Sequence, residues 1–200
     1  MLSSIPMQSA KRLATYDDLL LFPEGESAEV IDGEVYVQPK PLPEHQRIVS
    51  VLIQDIGSPF DQRHGRGGPG GWWIFPDCDT RLSNHNIVAP DLVGFRRERL
   101  ADPWGKRPFD VSPDWVCEVL SPSNAAYDRV KKANLYAAHG VPFMWLVSPA
   151  ERVLEAFRLV DGLWVRFASC DDTDKVRIAP FDEVELDVGS LFPPNAEPTP

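Results

Sequence analysis

The stretch Trp115-Val116-Cys117-Glu118-Val119-Leu120 decides how the rest of the chain is interpreted. It is short, almost wholly apolar and bounded by prolines, as is typical of a central strand that is buried on both faces. Side chains alternate along a strand, so Val116, Glu118 and Leu120 are expected on one face. A carboxylate at such a position is costly to bury unless it is paired or bound to a cation. Glu118 is therefore the first candidate for a functional residue.

A second carboxylate has a similar setting upstream, where Asp91 follows Val88-Ala89-Pro90 and precedes Leu92-Val93. Pro90 removes a backbone donor and bends the strand, which is a common way to open a sheet beside a ligand site. Two carboxylates on neighbouring strands, without a His or Cys cluster nearby, favour Mg²⁺ or Mn²⁺ over zinc, and such a site supports phosphodiester hydrolysis. The alternative is structural: Asp91 caps a turn and Glu118 pairs with an arginine, since ion-pair networks also hold buried acids.

A helix predicted from about Ala126 to His139 would supply a cation for this site. Asp128, Lys132 and Tyr136 are spaced four residues apart and drift only slowly around one helical face. Lys131 points roughly 100° away from them. A lysine near the metal can stabilise charge or position the attacking water. The alternative is an exposed pair of Asp128 and Lys132 with Tyr136 packed beneath it.

Two Asp-Gly dipeptides, Asp32-Gly33 and Asp161-Gly162, predict β-hairpins near the two ends of the chain. Type I′ turns need positive φ at both central residues, and Asp-Gly is one of the dipeptides that tolerates this. The apolar-rich runs joined by these turns are residues 28–31 and 34–37 in the first hairpin, and 153–159 and 164–168 in the second.

Other segments follow from periodicity and from turn residues. A capping box formed by Thr15 and Asp18 predicts a short helix through Leu21. We expect a second helix over 44–56, a flexible Gly-rich loop over 65–71, and strands over 72–75, 78–82, 87–95 with an interruption at Pro90, 141–147 and 183–187.

Length and composition indicate one globular domain. The chain has 200 residues, of which 43% are hydrophobic. We expect a flexible arm over 1–12, a single domain over 13–192 and a disordered Pro-rich tail over 193–200. No apolar run approaches the length of a membrane span and the N-terminus does not read as a signal peptide, so the expected location is cytoplasmic. Three separated cysteines indicate neither a disulfide framework nor a zinc cluster.

The acidic charge of the chain argues against a protein that grips long duplex DNA. The formal net charge is −10, whereas proteins that grip long duplex DNA depend mainly on Lys and Arg contacts to phosphate. A nuclease is still compatible with this charge, because bound divalent cations and a local basic patch can reverse the sign at one cleft.

Taken together, the ordered segments of this chain resemble the Uma2 family of restriction-endonuclease-like proteins, in the PD-(D/E)XK superfamily. The resemblance covers about residues 13–192. Its motifs are Tyr16, Glu29-xxx-Asp32-Gly33-Glu34, His45, Pro90-Asp91-Leu92-Val93, Glu118-Val119-Leu120-Ser121-Pro122-Ser123, Asp128-xxx-Lys132-xxx-Tyr136 and Gly140-Val141-Pro142-Phe143-Met144-Trp145-Leu146-Val147.

The resemblance implies an α/β (α+β) fold with a restriction-endonuclease-like mixed central β-sheet flanked by helices. It also implies that Asp91 and Glu118 are metal ligands and that the substrate is a nucleic acid. The chain departs from the superfamily pattern at Leu120, where Glu-x-Lys would place a lysine. The family commonly carries that lysine on the next helix, which makes Lys132 the third catalytic candidate.

Five further residues are second-tier candidates for the site. Asp79 and Glu34 are candidates to hold a metal-bound water, and Asp128 and Tyr136 share the helical face of Lys132. His45 has the chemistry to orient a carboxylate or contact phosphate, although a lone histidine is more often structural and we favour that role.

Three hypotheses follow for the function. The first is a Mg²⁺-dependent endonuclease that acts on DNA, with a homodimer as a candidate assembly because cutting a duplex usually needs two active sites. The second is a catalytically silent binding or regulatory module that keeps the fold. The third is a metal-dependent hydrolase of RNA or of smaller phosphodiesters. Function resides in the site, so fold alone does not decide among them.

Overall fold

The computed structural model describes residues 12–23, 25–61, 68–121 and 125–194. The predicted flexible arm (1–12) and Pro-rich tail (193–200) therefore lie almost wholly outside the described residues, as does the first part of the predicted loop over 65–71. Within the described ranges, no helix is both long enough and apolar enough to cross a membrane.

Strands and short helices alternate along the described chain. The strands are β1 Ser27–Ile31, β2 Glu34–Gln38, β3 Trp72–Pro76, β4 Thr80–Ser83, β5 Asn86–Val88, β6 Leu92–Arg96, β7 Trp115–Val119, β8 Phe143–Ser148, β9 Val153–Val160, β10 Leu163–Asp171, β11 Lys175–Val176 and β12 Leu186–Asp187. The helices are α1 Tyr16–Leu19, α2 Pro43–Leu52, α3 Ser58–Phe60, α4 Ala133–Ala138 and α5 Val188–Leu191, with π-helical segments at Ile53–Gly57 and Tyr127–Lys132.

The described strands form two main sheets and a third that consists only of β11 and β12. The larger has six strands in the order β10-β9-β8-β7-β6-β3, and it is mixed because β7 and β8 run parallel while the other neighbours run antiparallel. The smaller has four strands in the order β2-β1-β5-β4. The mixed central sheet that the resemblance implies is thus confirmed.

Helices cover both faces of the six-stranded sheet, and the alternation predicted for β7 is confirmed. Cys117 and Val119 join the apolar cluster that includes α2, whereas Val116 and Leu120 join the cluster that includes α4. Glu118 shares the face of Val116 and Leu120. The strand therefore directs this carboxylate toward the helical segment that ends in α4.

Both predicted hairpins are confirmed. Their turns have positive φ at both central residues, 51° and 75° at Asp32 and Gly33, and 49° and 78° at Asp161 and Gly162. The last strand, predicted over residues 183–187, is reduced to Leu186–Asp187, and that part of the sequence prediction is wrong.

The interruption at Pro90 is larger than the sequence predicts. Strand β5 ends at Val88 in the smaller sheet, and β6 begins at Leu92 in the larger sheet. Residues 89–91 therefore carry the chain from one sheet to the other. This crossing places Asp91 at the junction of the two sheets.

Candidate active site

A cleft of about 930 Å³ opens at this junction, between the start of β6, the end of β7 and the N-terminal part of α2. Leu92 pairs with Cys117 across β6 and β7, so the next residues along, Asp91 and Glu118, lie side by side. The backbone N–H of Val119 donates to Asp91 Oδ2 at 2.6 Å, which fixes that register. The ionisable residues lining the cleft include His45, Asp77, Asp91, Glu118, Asp128 and Lys132.

Glu118 is enclosed at the base of this cleft, where only 2% of it is exposed. Lys132 Nζ lies 2.7 Å from Glu118 Oε1, and the Tyr136 hydroxyl donates to the same oxygen at 2.5 Å. The cation beside Glu118 is therefore a lysine and not the arginine of the structural alternative.

The helical spacing brings Asp128, Lys132 and Tyr136 to one buried face. The alternative of an exposed pair of Asp128 and Lys132 is wrong, because both side chains are buried and Lys132 pairs with glutamates. Asp128 and Lys132 lie in the π-helical segment, a local form that often occurs at functional sites. Lys131 points away from the cleft and donates to the Tyr36 hydroxyl at 2.7 Å.

Glu29, which the sequence analysis names only as part of a motif, contacts the candidate site through Lys132. It is 1% exposed, and its Oε1 lies 3.0 Å from Lys132 Nζ. The sequence does hold a signal for it. Glu29 stands in the apolar run 28–31, so the argument that a buried carboxylate needs a partner applies to it as it does to Glu118.

Asp91 is held through both of its oxygens. His45 Nε2 lies 3.0 Å from Oδ1, while Oδ2 accepts the N–H of Val119. The other ring nitrogen of His45, Nδ1, is buried without a hydrogen-bond partner among the described residues. The structure thus places His45 at the cleft, in contact with a candidate metal ligand.

Two of the second-tier candidates lie elsewhere. Asp79 accepts hydrogen bonds from Arg107 Nε at 2.6 Å and from the Tyr16 hydroxyl at 3.2 Å, beside a separate cavity of about 220 Å³. Glu34 accepts from Tyr36 on an exposed part of the first hairpin. Asp77, which the sequence analysis did not single out, lines both cavities.

Burial controls the ionisation of the acids in the cleft. It raises the pKa of Glu118 well above its ordinary value, and Lys132 opposes this shift. Burial also raises the pKa of Asp128 to about 6. For Lys132 burial acts to lower the pKa, but Glu118 and Glu29 outweigh it and hold the ammonium pKa well above its ordinary value. Burial, followed by the charge of Asp91, raises the pKa of Asp77.

The residues present fit a hard divalent cation. Within the part of the chain that the structure describes, no three His, Cys, Asp or Glu side chains are grouped in the geometry of a complete metal site. Mg²⁺ does not require one, because it is commonly held by one or two carboxylates together with waters and substrate phosphates. Asp91 and Glu118 supply such a pair, and oxygen-only donors suit Mg²⁺ or Mn²⁺.

Comparison with known proteins bears on this arrangement. The sequence profile of the Uma2 family, described as "Putative restriction endonuclease", matches residues 13–189. The chain belongs to the Uma2 family. Five chains of solved structures match this Uma2 protein. One of them is a crystal structure described as a putative nuclease belonging to DUF820 from Anabaena variabilis, with a TM-score of 0.70 and 24% identity over 88% of this chain and 96% of that chain.

At 24% identity, that likeness establishes the fold of the Uma2 protein. A search of curated proteins gave no match. The roles of individual residues in this Uma2 chain therefore depend on the geometry of the cleft.

Proposed function

We propose that this protein is a metal-dependent endonuclease that hydrolyses phosphodiester bonds in DNA. The observation that carries the proposal is the pair of carboxylates, Asp91 and Glu118, which lie side by side in one cleft. The buried Lys132 forms an ion pair with Glu118. The description of the Uma2 family and that of the solved neighbour both support a nuclease.

Asp91 and Glu118 would hold Mg²⁺ or Mn²⁺. When bound, the ion supplies Lewis-acid activation of the phosphate and of the attacking water. The protein contributes preorganisation. The N–H of Val119 and the ring of His45 hold Asp91, and Tyr136 holds Glu118 through Oε1. Fixing both carboxylates before the ion arrives lowers the cost of ordering them on binding.

Lys132 differs from a lysine that reaches into solvent, because it is almost fully buried between two glutamates. We assign it two tasks: it compensates the charge of Glu118 in the metal-free protein, and it offers a positive charge at the base of the cleft. Its substitution to Met should therefore retain metal binding and abolish turnover. Loss of metal binding instead would mean that Lys132 acts only through structure.

The catalytically silent module is the competing function, and two observations favour it. Leu120 is buried in an apolar cluster at the position where the superfamily pattern has a lysine. The net charge of −10 is also unfavourable for binding a long duplex. RNA or a smaller phosphodiester would need less basic surface, so these substrates belong in the same assay.

Cleavage assays with Mg²⁺ or Mn²⁺ test the proposal, with plasmid, linear and single-stranded DNA and RNA as substrates. Asp91→Asn and Glu118→Gln should each lower the cleavage rate by more than about 100-fold, since even residues behind the ligands affect activity 10–100-fold. Asp172→Asn is the matched control, because Asp172 is also ion-paired and is 26% exposed against 24% for Asp91. Cleavage that survives both site substitutions would refute the site, and absence of both cleavage and metal binding would favour the silent module.

A further inference from the structure

We infer that Glu29 sets the affinity of the Asp91–Glu118 pair for a divalent cation, because it takes a share of the charge of Lys132 away from Glu118. The inference rests on the proposed function, since it concerns the same metal site. It makes Glu29, on the first hairpin, a positioning residue for a reaction centre formed by β6 and β7.

One ammonium group serves two buried carboxylates. Lys132 Nζ lies 2.7 Å from Glu118 Oε1 and 3.0 Å from Glu29 Oε1, and all three side chains are nearly inaccessible to solvent. Charges interact strongly in such surroundings because little water screens them. The two glutamates therefore compete for a single positive charge.

Three other donors hold the side chain of Glu29 in place, so it stays beside Lys132. Its Oε1 also accepts the N–H of Ala89 at 2.8 Å. Its Oε2 accepts the amide of Gln38 at 2.6 Å and the hydroxyl of Tyr127 at 3.2 Å. Both oxygens of this buried carboxylate are therefore hydrogen-bonded, which fixes its position.

With both carboxylates ionised, as they must be to hold a cation, the charges of this trio sum to −1: two carboxylates and one ammonium. Because Lys132 is shared, Glu118 retains part of its negative charge for a cation. If Glu29 became neutral, Lys132 would compensate Glu118 alone and the trio would sum to zero. The attraction between the cleft and a divalent cation would then weaken.

The same oxygen of Glu29 also bears on the second ligand. Ala89 lies two residues before Asp91, in the crossing between the two sheets. By holding the N–H of Ala89, Glu29 fixes the chain that delivers Asp91 to the cleft. Gln at position 29 retains an oxygen that can accept the N–H of Ala89. Its NH₂ group would then face Gln38 and Tyr127, whose amide oxygen and hydroxyl can turn to accept from it.

Calorimetric titration with Mn²⁺ separates the electrostatic role from the structural one. The proteins to compare are the wild type, Glu29→Gln, Lys132→Met and the double variant, each checked for folding by thermal melting and near-UV circular dichroism. With every remaining carboxylate ionised, the trio has a charge of 0 in Glu29→Gln, −1 in wild type, −2 in Lys132→Met and −1 in the double variant. Affinity should follow this order at a pH high enough to ionise Glu118 in all four proteins, because a proton on Glu118 would compete with Mn²⁺. Glu29→Gln should bind Mn²⁺ roughly tenfold or more weakly than wild type. The double variant should return to within about threefold of wild type.

Each result has a definite meaning. Equal affinity of Glu29→Gln and wild type would overturn the inference, as would a double variant no better than Glu29→Gln. If Glu29→Gln alone fails to fold, the same substitution in the Lys132→Met background should still weaken Mn²⁺ binding about tenfold. An unchanged affinity there would overturn the inference. A wild type that binds no Mn²⁺ refutes the proposed metal site itself, and the inference with it.

Discussion

The two Asp-Gly hairpins have the same kind of turn but lie in different surroundings. Each places a glutamate against the helical segment Tyr127–Lys132: Glu29 contacts Lys132 at 3.0 Å, and Glu155 contacts Arg129 at 2.8 Å. The first pair is buried, whereas Arg129 is 36% exposed. The same local signal thus yields part of the candidate site in one case and a surface ion pair in the other.

The difference comes from the sheet that each hairpin joins. The first belongs to the four-stranded sheet, whose strand β5 leads into the crossing to β6 beside the cleft. The second forms the edge of the six-stranded sheet, where Leu163, Val165 and Phe167 are exposed. A turn sequence therefore predicts a hairpin, but the tertiary placement of the hairpin decides what its glutamate does.

The largest effect is expected from truncation of the buried glutamate. Glu29→Ala leaves a cavity and removes a partner from Lys132, Ala89 and Tyr127, so the free energy of unfolding should fall by about 3–5 kcal/mol. Urea denaturation measures this loss. Glu29→Gln should lose much less, because it keeps the shape and an acceptor oxygen. A loss below about 1 kcal/mol for Glu29→Ala would contradict the buried network.

The two sides of the helical segment should also differ in the sign of their pH dependence. Burial raises the pKa of Asp128 to about 6 in the folded protein, from 3.8 in the unfolded chain. Its contribution to stability is therefore fully present below pH 3.8 and is lost as pH rises through about 6. Asp128→Asn removes that dependence, so the variant should gain up to about 3 kcal/mol on wild type between pH 4 and pH 8.

Glu155, on the other hairpin, should show the opposite sign. Burial acts to raise its pKa, but Arg166 and Arg129 outweigh this and the pKa is lowered. Its contribution is present at neutral pH and is lost as pH falls through its lowered pKa. Stability curves from pH 3 to pH 8 for Asp128→Asn and Glu155→Gln measure both signs. If the stability difference from wild type changed with pH in the same direction for both variants, the opposite signs assigned to Asp128 and Glu155 would be wrong.

Local patterns were sufficient for much of the fold and for part of the site. The apolar run around Glu118 predicted a buried strand, and the spacing of Asp128, Lys132 and Tyr136 predicted their shared face. These signals arise from the periodicity of one element. They need no information about its neighbours.

Contacts between distant segments were not accessible in this way. The sequence did not indicate that Glu29 reaches a lysine about a hundred positions later, because that contact requires the smaller sheet to fold against the helix. It also led to Asp79 without singling out Asp77, although the register of β3 against β6 brings Asp77 beside Asp91. Pairing register depends on tertiary structure, so strand alternation alone does not determine it.

The two turns offer a matched pair of glycine substitutions. A Cβ on Gly33 would approach Leu13 Cβ to 2.7 Å, whereas a Cβ on Gly162 would meet nothing within 4 Å. Both glycines have positive φ, which costs a side chain about 1 kcal/mol or more. Gly162→Ala should lose about that much stability, and Gly33→Ala should lose about 2–3 kcal/mol because overpacking is added. Equal losses in urea denaturation would mean that the first turn has no tighter environment than the second.

The smallest effect is expected from the exposed ion pairs of the second hairpin. Glu155 lies 2.7 Å from Arg166 and 2.8 Å from Arg129, but both arginines are reached by solvent. Glu155→Gln should therefore cost at most about 1 kcal/mol at low salt. The cost should shrink further in 1 M NaCl, because salt screens exposed charges. Glu29→Gln, measured beside it, should keep most of its effect in salt, since water and ions do not reach the pair that Glu29 forms with Lys132. A similar salt dependence for the two substitutions would remove the distinction between the hairpins, because it would place both glutamates in contact with solvent.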